Sequence, residues 1–267
     1  MDKDIFMLCE SITESEIAGL KGEWLSNRKE DGERIMSVVK DGEVFLLNRR
    51  GILKNKQFRE IEEELKILPN CVIDGEVVSQ DGDFGKTQSR AGTQNKFKIA
   101  ELEKTIPLYF MVFDIIQLNG VDLRNTQLKD RIIKLNELFN SYTFKDIKIC
   151  EYKPIAEMLE QAKEKGWEGI VIKDLNGIYE SKRSNLWLKL KLKIERVVNF
   201  NIYEVNNKGL RLSDEKDNAV QMSQLDLVKI IKKEIDENGF IKCEVECMEI
   251  FDSGKMRQPV FKRIFED

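Results

Sequence analysis

The sequence predicts an α+β fold in two unequal parts: antiparallel sheets with flanking helices over residues 1–193, then a small β-barrel over 194–267. Three observations carry this reading. Short apolar stretches broken by Asp-Gly or Asn-Gly pairs fill the region from about Trp24 to Asn125, as hairpins require. Three segments with helical periodicity accompany them, and beyond Lys193 alternating stretches surround a single helix. With 267 residues and 41% hydrophobic content, the chain can bury a large core and a small one.

The turn pairs are Asp31-Gly32, Asp41-Gly42, Asp74-Gly75, Asp81-Gly82 and Asn119-Gly120. Helices are expected over Phe58 to Lys66, Leu128 to Phe139 and Ile155 to Lys165, where apolar residues recur at three- and four-residue spacing with charge between them. Past Lys193 the strand-like stretches are Val197 to Val205, Gly209 to Ser213 and Phe240 to Phe251, with a helix from about Leu225 to Glu237. That order suits a partly open barrel of the oligonucleotide-binding type. Alternation puts Ile241, Cys243, Val245 and Cys247 on one face, which makes these thiols core residues.

Charged residues make up 34% of the chain, and no apolar run approaches the roughly 20 residues of a membrane helix. Met1-Asp2-Lys3-Asp4 is acidic where a secretory signal is basic, so a cytoplasmic location is expected. Five cysteines, an odd number, give no disulfide framework. The chain has no histidine, which excludes the common Cys/His zinc patterns and any Ser-His or Cys-His nucleophile pair. Chemistry then falls to Lys, Arg, Asp, Glu or a metal. A net charge of −4 argues against coating nucleic acid along the whole surface and leaves room for a local basic groove.

Two runs point to phosphate chemistry. In Lys29-Glu30-Asp31-Gly32-Glu33-Arg34 a lysine stands at the mouth of a tight turn with an arginine behind it. Neighbouring cations would favour the neutral, nucleophilic amine by lowering its pKa. Alone, the run reads equally as a solvated hairpin, as Lys40-Asp41-Gly42, which lacks the spacer residue, does. In Trp187-Leu188-Lys189-Leu190-Lys191 the two lysines share one strand face while Leu188, Leu190 and Leu192 take the other. Two cations aimed at one spot suit a triphosphate, although alone the run is an amphipathic strand with a wet face. Taken by itself, Tyr109 to Ile116 is a buried strand with aromatics in the core.

In order along the chain, these runs resemble the motif series of the covalent nucleotidyltransferases, and among them ATP-dependent DNA ligases most. Lys29 to Arg34 fits Lys-x-Asp-Gly-x-Arg, and Leu47-Asn48-Arg49-Arg50-Gly51 is similar to Ser-Arg-x-Gly. Cys71-Val72-Ile73-Asp74-Gly75-Glu76 resembles Leu-Asp-Gly-Glu, and Gln88-Ser89-Arg90 resembles Leu-Gln-x-Arg. Phe113-Asp114-Ile115-Ile116 with Gly120-Val121-Asp122-Leu123 looks like Phe-Asp-Ile-Leu and its Gly-x-Asp-Leu turn, and Leu128-Lys129-Asp130-Arg131 like the helix start that follows. Glu168-Gly169-Ile170-Val171-Ile172-Lys173 is close to Glu-Gly-Val-Val-Lys, and Lys182-Arg183-Ser184 with Trp187 to Lys191 matches Gly-Lys-Arg-Ser and Trp-Leu-Lys-Leu-Lys.

The resemblance implies a nucleotidyltransferase (adenylation) domain followed by an OB-fold, and a ligase that seals 5′-phosphate/3′-hydroxyl nicks through a lysyl-AMP on Lys29 and a DNA-adenylate. ATP and Mg²⁺ (or Mn²⁺) are the implied cofactors, nicked double-stranded DNA the partner, and a monomer the working form. Catalytic roles fall to Lys29, Arg34, Glu76, Lys189 and Lys191. Nucleotide contacts fall to Asn27, Arg34, Arg49, Glu76, Phe113 (stacked on adenine), Glu168, Lys173, Arg183, Lys189, Lys191 and Arg257, with the metal on Glu76 and Glu168. Two departures stand out: Asn27 replaces a glutamate common two positions before the lysine, and Phe265 replaces the last arginine of the closing Arg-x-Pro-x-Phe segment, where the final lysine is also missing after Asp267. An RNA ligase of the same superfamily, or a catalytically degenerate protein binding nicks or single strands, are the alternatives.

Overall fold

The structure is a computed structural model that describes residues 5–192, 194–207, 209–222, 227–250 and 253–265. The chain divides into two compact units, Met1–Lys191 and Leu192–Asp267.

In chain order the strands of the first unit are β1 (Leu8–Ser11), β2 (Trp24–Arg28), β3 (Glu33–Lys40), β4 (Glu43–Asn48), β5 (Cys71–Ser79), β6 (Leu108–Leu118), β7 (Val121–Asp122), β8 (Ile147–Ile149), β9 (Gly169–Asp174) and β10 (Arg183–Lys191). Its helices are α1 (Arg59–Leu65), α2 (Phe84–Gly92), α3 (Lys96–Thr105), α4 (Leu128–Asn140) and α5 (Ile155–Glu164). One sheet has the order β1-β10-β9-β2; the other runs β4-β3-β5-β6-β7, with β8 pairing β6. On the outer face of the second sheet, Ile35, Ile73, Val77, Phe110 and Val112 pack with Phe58, Ile61 and Leu65 around α1 and with Leu135, Leu138 and Phe139 of α4. Its inner face turns Met36 and Phe113 toward Phe6, Met7, Tyr179 and Trp187, so the two sheets enclose a second, mixed layer.

Asp41-Gly42 and Asn119-Gly120 form hairpin turns with positive φ at both residues, 52° and 79° in the first and 49° and 82° in the second. The three expected helices form as α1, α4 and α5. Two expectations need correction. Asp74-Gly75 lies inside β5 rather than at a turn; there a Cβ on Gly75 would come within 2.5 Å of the Phe110 ring and 2.7 Å of the Met111 carbonyl, so glycine serves close strand approach. The region read as hairpins interrupted by one helix at Phe58 to Lys66 also holds α2 and α3, whose apolar faces bury little beyond Ala91 and Ile99. Their starts are fixed by Asp83, which accepts from the Lys86 N–H, and by Asn95, which accepts from the Phe97 and Lys98 N–H groups.

The second unit contains β11 (Ile194–Phe200), β12 (Ile202–Asn206), β13 (Gly209–Ser213), β14 (Ala219–Met222), α6 (Val228–Asn238), β15 (Ile241–Cys247), β16 (Glu249–Ile250), β17 (Met256–Arg257) and β18 (Val260–Ile264). Small antiparallel sheets β11-β15-β18, β12-β13-β14 and β16-β17 close over Phe200, Leu210, Leu212 and Ile231. Ile241, Cys243, Val245 and Cys247 are all buried, as the alternation requires. Lys193, the helix start expected at Leu225, the strand end at Phe251 and the closing Glu266-Asp267 lie outside the described residues.

Candidate active site

Strand register assembles one wall of the site. In antiparallel strands, directly paired residues share a face. Asn27 pairs with Val171, which pairs with Lys189; Leu25 pairs with Lys173, which pairs with Trp187; and Gly169 pairs with Lys191. The Lys29 N–H extends this ladder by donating to the Gly169 carbonyl at 2.9 Å. A Cβ on Gly169 would sit 2.0 Å from the Leu190 carbonyl, so only glycine permits the approach. Asn27, Lys29, Lys173, Trp187, Lys189 and Lys191 therefore converge on one sheet face. The facing wall comes from β3 and β5, where Arg34 pairs with Glu76 and Met36 with Asp74.

Glu168, its side chain 7% exposed, clamps two of the lysines. Lys29 Nζ donates to its Oε2, and Lys191 Nζ lies 3.0 Å from its Oε1. The Lys189 ammonium is held below its ordinary value, first by burial and then by Arg183, Lys191 and Lys29, against an opposing pull from Cys9. Four cations thus crowd one region, which an incoming polyphosphate would relieve.

Arg34 donates to Asp74 through Nε at 3.0 Å and Nη2 at 2.7 Å, a bidentate pair. Its guanidinium carbon lies 5.1 Å, 5.3 Å and 5.6 Å from the ring centres of Phe6, Phe113 and Trp187. Burial works against its charge, but the Asp74 carboxylate outweighs burial and keeps the group above its ordinary value. Asp74 also accepts from the Tyr179 hydroxyl at 2.7 Å, and that oxygen accepts from the Met7 N–H at 3.0 Å.

Glu76 is half-buried and lines a cleft of about 600 Å³ with Arg34, Arg49, Lys54 and Gln88. Burial pushes its carboxyl up to about 8, even with Arg34 and Lys29 pulling it down. The same effect with opposite sign brings buried Lys173 down to about 8. Its Nζ donates to the Tyr152 hydroxyl at 2.8 Å and lies 4.4 Å and 4.0 Å from the ring centres of Phe113 and Trp187. Phe113 is 8% exposed and meets Trp187 edge to face at 5.9 Å. Asn27, 2% exposed, donates through Nδ2 to the Arg28 carbonyl at 2.7 Å. That contact fixes the amide orientation and leaves Oδ1 as a buried acceptor without a partner among the described residues.

Of the other expected residues, Arg49 is exposed just beyond β4, and exposed Arg183 donates through Nη1 to the Cys9 carbonyl. Arg257 belongs to the second unit, on β17. Arg263, the other cation of the closing segment, donates to Glu244 at 2.6 Å. Sequence reasoning passed over Asp74, Tyr152 and Tyr179. Strand alternation through Ile73-Asp74-Gly75-Glu76, with Asp74 and Glu76 two residues apart, was the available signal for Asp74.

Among the described residues no cluster of three or more His, Cys, Asp or Glu side chains could hold a metal unaided. Mg²⁺ commonly takes one or two carboxylates and completes its shell with substrate phosphates and water. Glu76, half-buried in the cleft beside Arg34 and Arg49, fits that use as a single carboxylate donor. Both Glu168 oxygens already engage ammonium groups, so Glu168 fits a metal only by releasing a lysine.

This two-sheet cleft of lysines, arginine and carboxylates has the charge pattern of a phosphate-binding site. The sequence model described as "ATP dependent DNA ligase domain" matches residues 6–191, and the chain belongs to that family. It is 31% identical over 180 residues to the multifunctional non-homologous end joining protein LigD of Pseudomonas aeruginosa, covering 66% of this chain and 21% of the relative. Against a DNA ligase of Sulfolobus acidocaldarius it is 32% identical over 202 residues, covering 69% and 33%. The chain thus spans about a fifth to a third of the curated relatives it matches. Among solved structures, a mycobacterial DNA ligase D complexed with ATP and MES aligns with a TM-score of 0.62 at 22% identity, covering 98% of this chain and 95% of that one. A Lig E DNA ligase, studied for DNA binding with a minimal scaffold, aligns with a TM-score of 0.70 at 17% identity over 97% and 98% of the two chains. These two likenesses show the mixed α+β fold. No helix among the described residues is long and apolar enough to cross a membrane.

Proposed function

We propose that the protein is an ATP-dependent DNA ligase, working as a cytoplasmic monomer, that seals 5′-phosphate/3′-hydroxyl nicks in duplex DNA through AMP carried on Lys29. The observation that carries the reading is the register-built face on which Lys29, Lys189 and Lys191 meet Glu168, opposite Arg34 and Glu76. We take residues 1–193 as the adenylation domain and 194–267 as an OB-fold barrel. The odd number of cysteines, five, fits a reducing compartment.

In this reading Lys29 Nζ attacks the α-phosphate of ATP, an N–P bond forms, the bond to the bridging oxygen breaks and pyrophosphate leaves. Lys29 must first give up a proton, and Glu168, already accepting its hydrogen bond, is the group placed to take it. Lys189 and Lys191 offset the charge of the departing phosphates, and Arg34 faces them from the other sheet. The unpartnered Asn27 Oδ1 suits the 6-amino group of adenine, which donates where the 6-oxo group of guanine cannot. Lys173 from the first sheet and Phe113 from the second meet across the cleft, the ammonium 4.4 Å from the ring centre, with Arg49 and Arg183 reserved for nucleotide or DNA phosphate. Glu76, with Glu168 once a lysine is released, would hold Mg²⁺ (or Mn²⁺), which supplies charge neutralisation on the phosphates. AMP then passes to a 5′-phosphate, and the 3′-hydroxyl displaces it.

Labelled ATP with Mg²⁺ should leave a covalent AMP adduct that Lys29→Ala abolishes and a nicked DNA duplex discharges; a nicked RNA duplex tests the RNA ligase reading. A folded protein that binds nicks yet forms no adduct would instead be a degenerate binder, the reading that Phe265 favours. Phe265 spends its N–H on the Lys242 carbonyl at 2.9 Å and offers no charge where the family pattern has arginine.

A further inference from the structure

Tyr179 lies in the connection between β9 and β10, far in sequence from the residues it joins, and nothing in the motif series gives it a task. Its hydroxyl is polarised in one direction. A backbone N–H can only donate, so the Met7 N–H at 3.0 Å fills the acceptor side of the hydroxyl and its own proton points to Asp74 Oδ2 at 2.7 Å. The same Asp74 oxygen receives Arg34 Nη2, and the other receives Nε. Asp74 is therefore held from both sides, and the pair fixes the guanidinium plane with Nη1 directed away from the carboxylate. The Tyr179 ring is locked as well: it is 3% exposed, meets Trp187 edge to face at 5.6 Å and lies 5.8 Å from the Arg131 guanidinium carbon. Main-chain bonds from Leu8 N–H to the Lys182 carbonyl and from Tyr179 N–H to the Arg124 carbonyl, both 2.8 Å, hold the segment on either side.

We infer that Tyr179 is a positioning residue for nucleotidyl transfer, acting through Asp74 to hold Arg34 in the orientation that meets the reacting phosphates. This rests on the adenylylation reading above. The Met7 contact extends the chain of hydrogen bonds to the segment that enters β1, so the N-terminal approach to the sheet and the arginine of the facing sheet are set by one hydroxyl. Tyr179→Phe retains the ring and its packing and removes the hydroxyl with its two hydrogen bonds, to Asp74 and from the Met7 N–H.

The test measures single-turnover adenylylation by labelled ATP and Mg²⁺ in the full chain for wild type, Tyr179→Phe, Arg34→Lys and the double variant. A misaligned guanidinium should lower the rate of adduct formation by about tenfold to a hundredfold, with the ATP concentration for half-maximal rate changed less than about twofold. Because Tyr179 acts through Arg34, the double variant should run no slower than Arg34→Lys alone. Wild-type rate in Tyr179→Phe would overturn the proposal, and so would losses that multiply in the double variant, since those report a separate structural role. A wild-type protein that forms no adduct would overturn it together with the adenylylation reading, which separates the two failures.

Discussion

Glu76→Gln should make the nucleotide-free protein more stable at alkaline pH while removing its proposed activity. In the unfolded chain this carboxyl titrates near 4.5, and in the fold burial moves it to about 8. Between those values the folded state holds a proton that the unfolded state has released. Stability must therefore fall as pH rises through that window, the reverse of a salt-bridged carboxylate. At about 1.36 kcal/mol per pKa unit the ceiling is about 5 kcal/mol. The side chain is half-buried, so water screens part of the effect, and about 2 kcal/mol is the expected size. Glutamine has similar shape and no charge, so the variant should match wild type near pH 5 and exceed it by about that amount near pH 8.5. Urea unfolding at the two pH values reads the difference directly, and a melting point about 4–8 °C higher is the thermal counterpart. Parallel pH profiles for the two proteins would refute the burial-raised carboxyl of Glu76. Stability gained with adenylylation lost is the trade that the proposed metal role of Glu76 predicts.

Three further outcomes follow from the same geometry. Asp114→Ala strands Arg131, since both side chains are fully buried and paired at 2.8 Å and 2.9 Å; denaturant unfolding should show a loss of about 3–5 kcal/mol, and a loss below about 1 kcal/mol would contradict the pairing. Lys173→Met should stabilise the empty protein at pH 7 by about 2 kcal/mol. The buried amine falls from 10.5 to about 8 on folding, so wild-type stability rises with pH across that interval and the advantage of the variant should vanish by its upper end. Gly169→Ala would set a Cβ 2.0 Å from the Leu190 carbonyl at a φ of +152°. Parting β9 from β10 displaces Lys29 and Lys191, and the rate of AMP adduct formation should drop by about a hundredfold.

Much of the site was legible because it is built from strands, and strand geometry is a rule of two. Lys189 and Lys191 share a face by alternation, and Leu188 and Leu190 are buried behind them. The order of runs from Lys29 to Lys191 identified the family through spacing that survives without any three-dimensional knowledge. Helices with strong amphipathic faces were equally readable. What escaped was determined by contacts between distant segments. Helix α2 interrupts its pattern with Gly85 and Gly92 and buries Arg90, whose charge is met by Glu60 at 2.6 Å and by main-chain carbonyls from other segments. No local periodicity announces a buried arginine.

Asp74-Gly75 shows how one dipeptide can carry two meanings. At Asp41-Gly42 both residues take positive φ and the chain reverses. At Asp74-Gly75 the chain continues as a strand, because residues 71–77 pair on both sides, with β3 and β6, and a reversal would forfeit both ladders. The glycine then permits close passage of Phe110, and the aspartate, freed from a turn, is buried against Arg34 and Tyr179. A turn-forming dipeptide inside a central strand thus marks a place where tertiary pairing overrode local preference. Here that place holds the carboxylate on which the orientation of Arg34 depends.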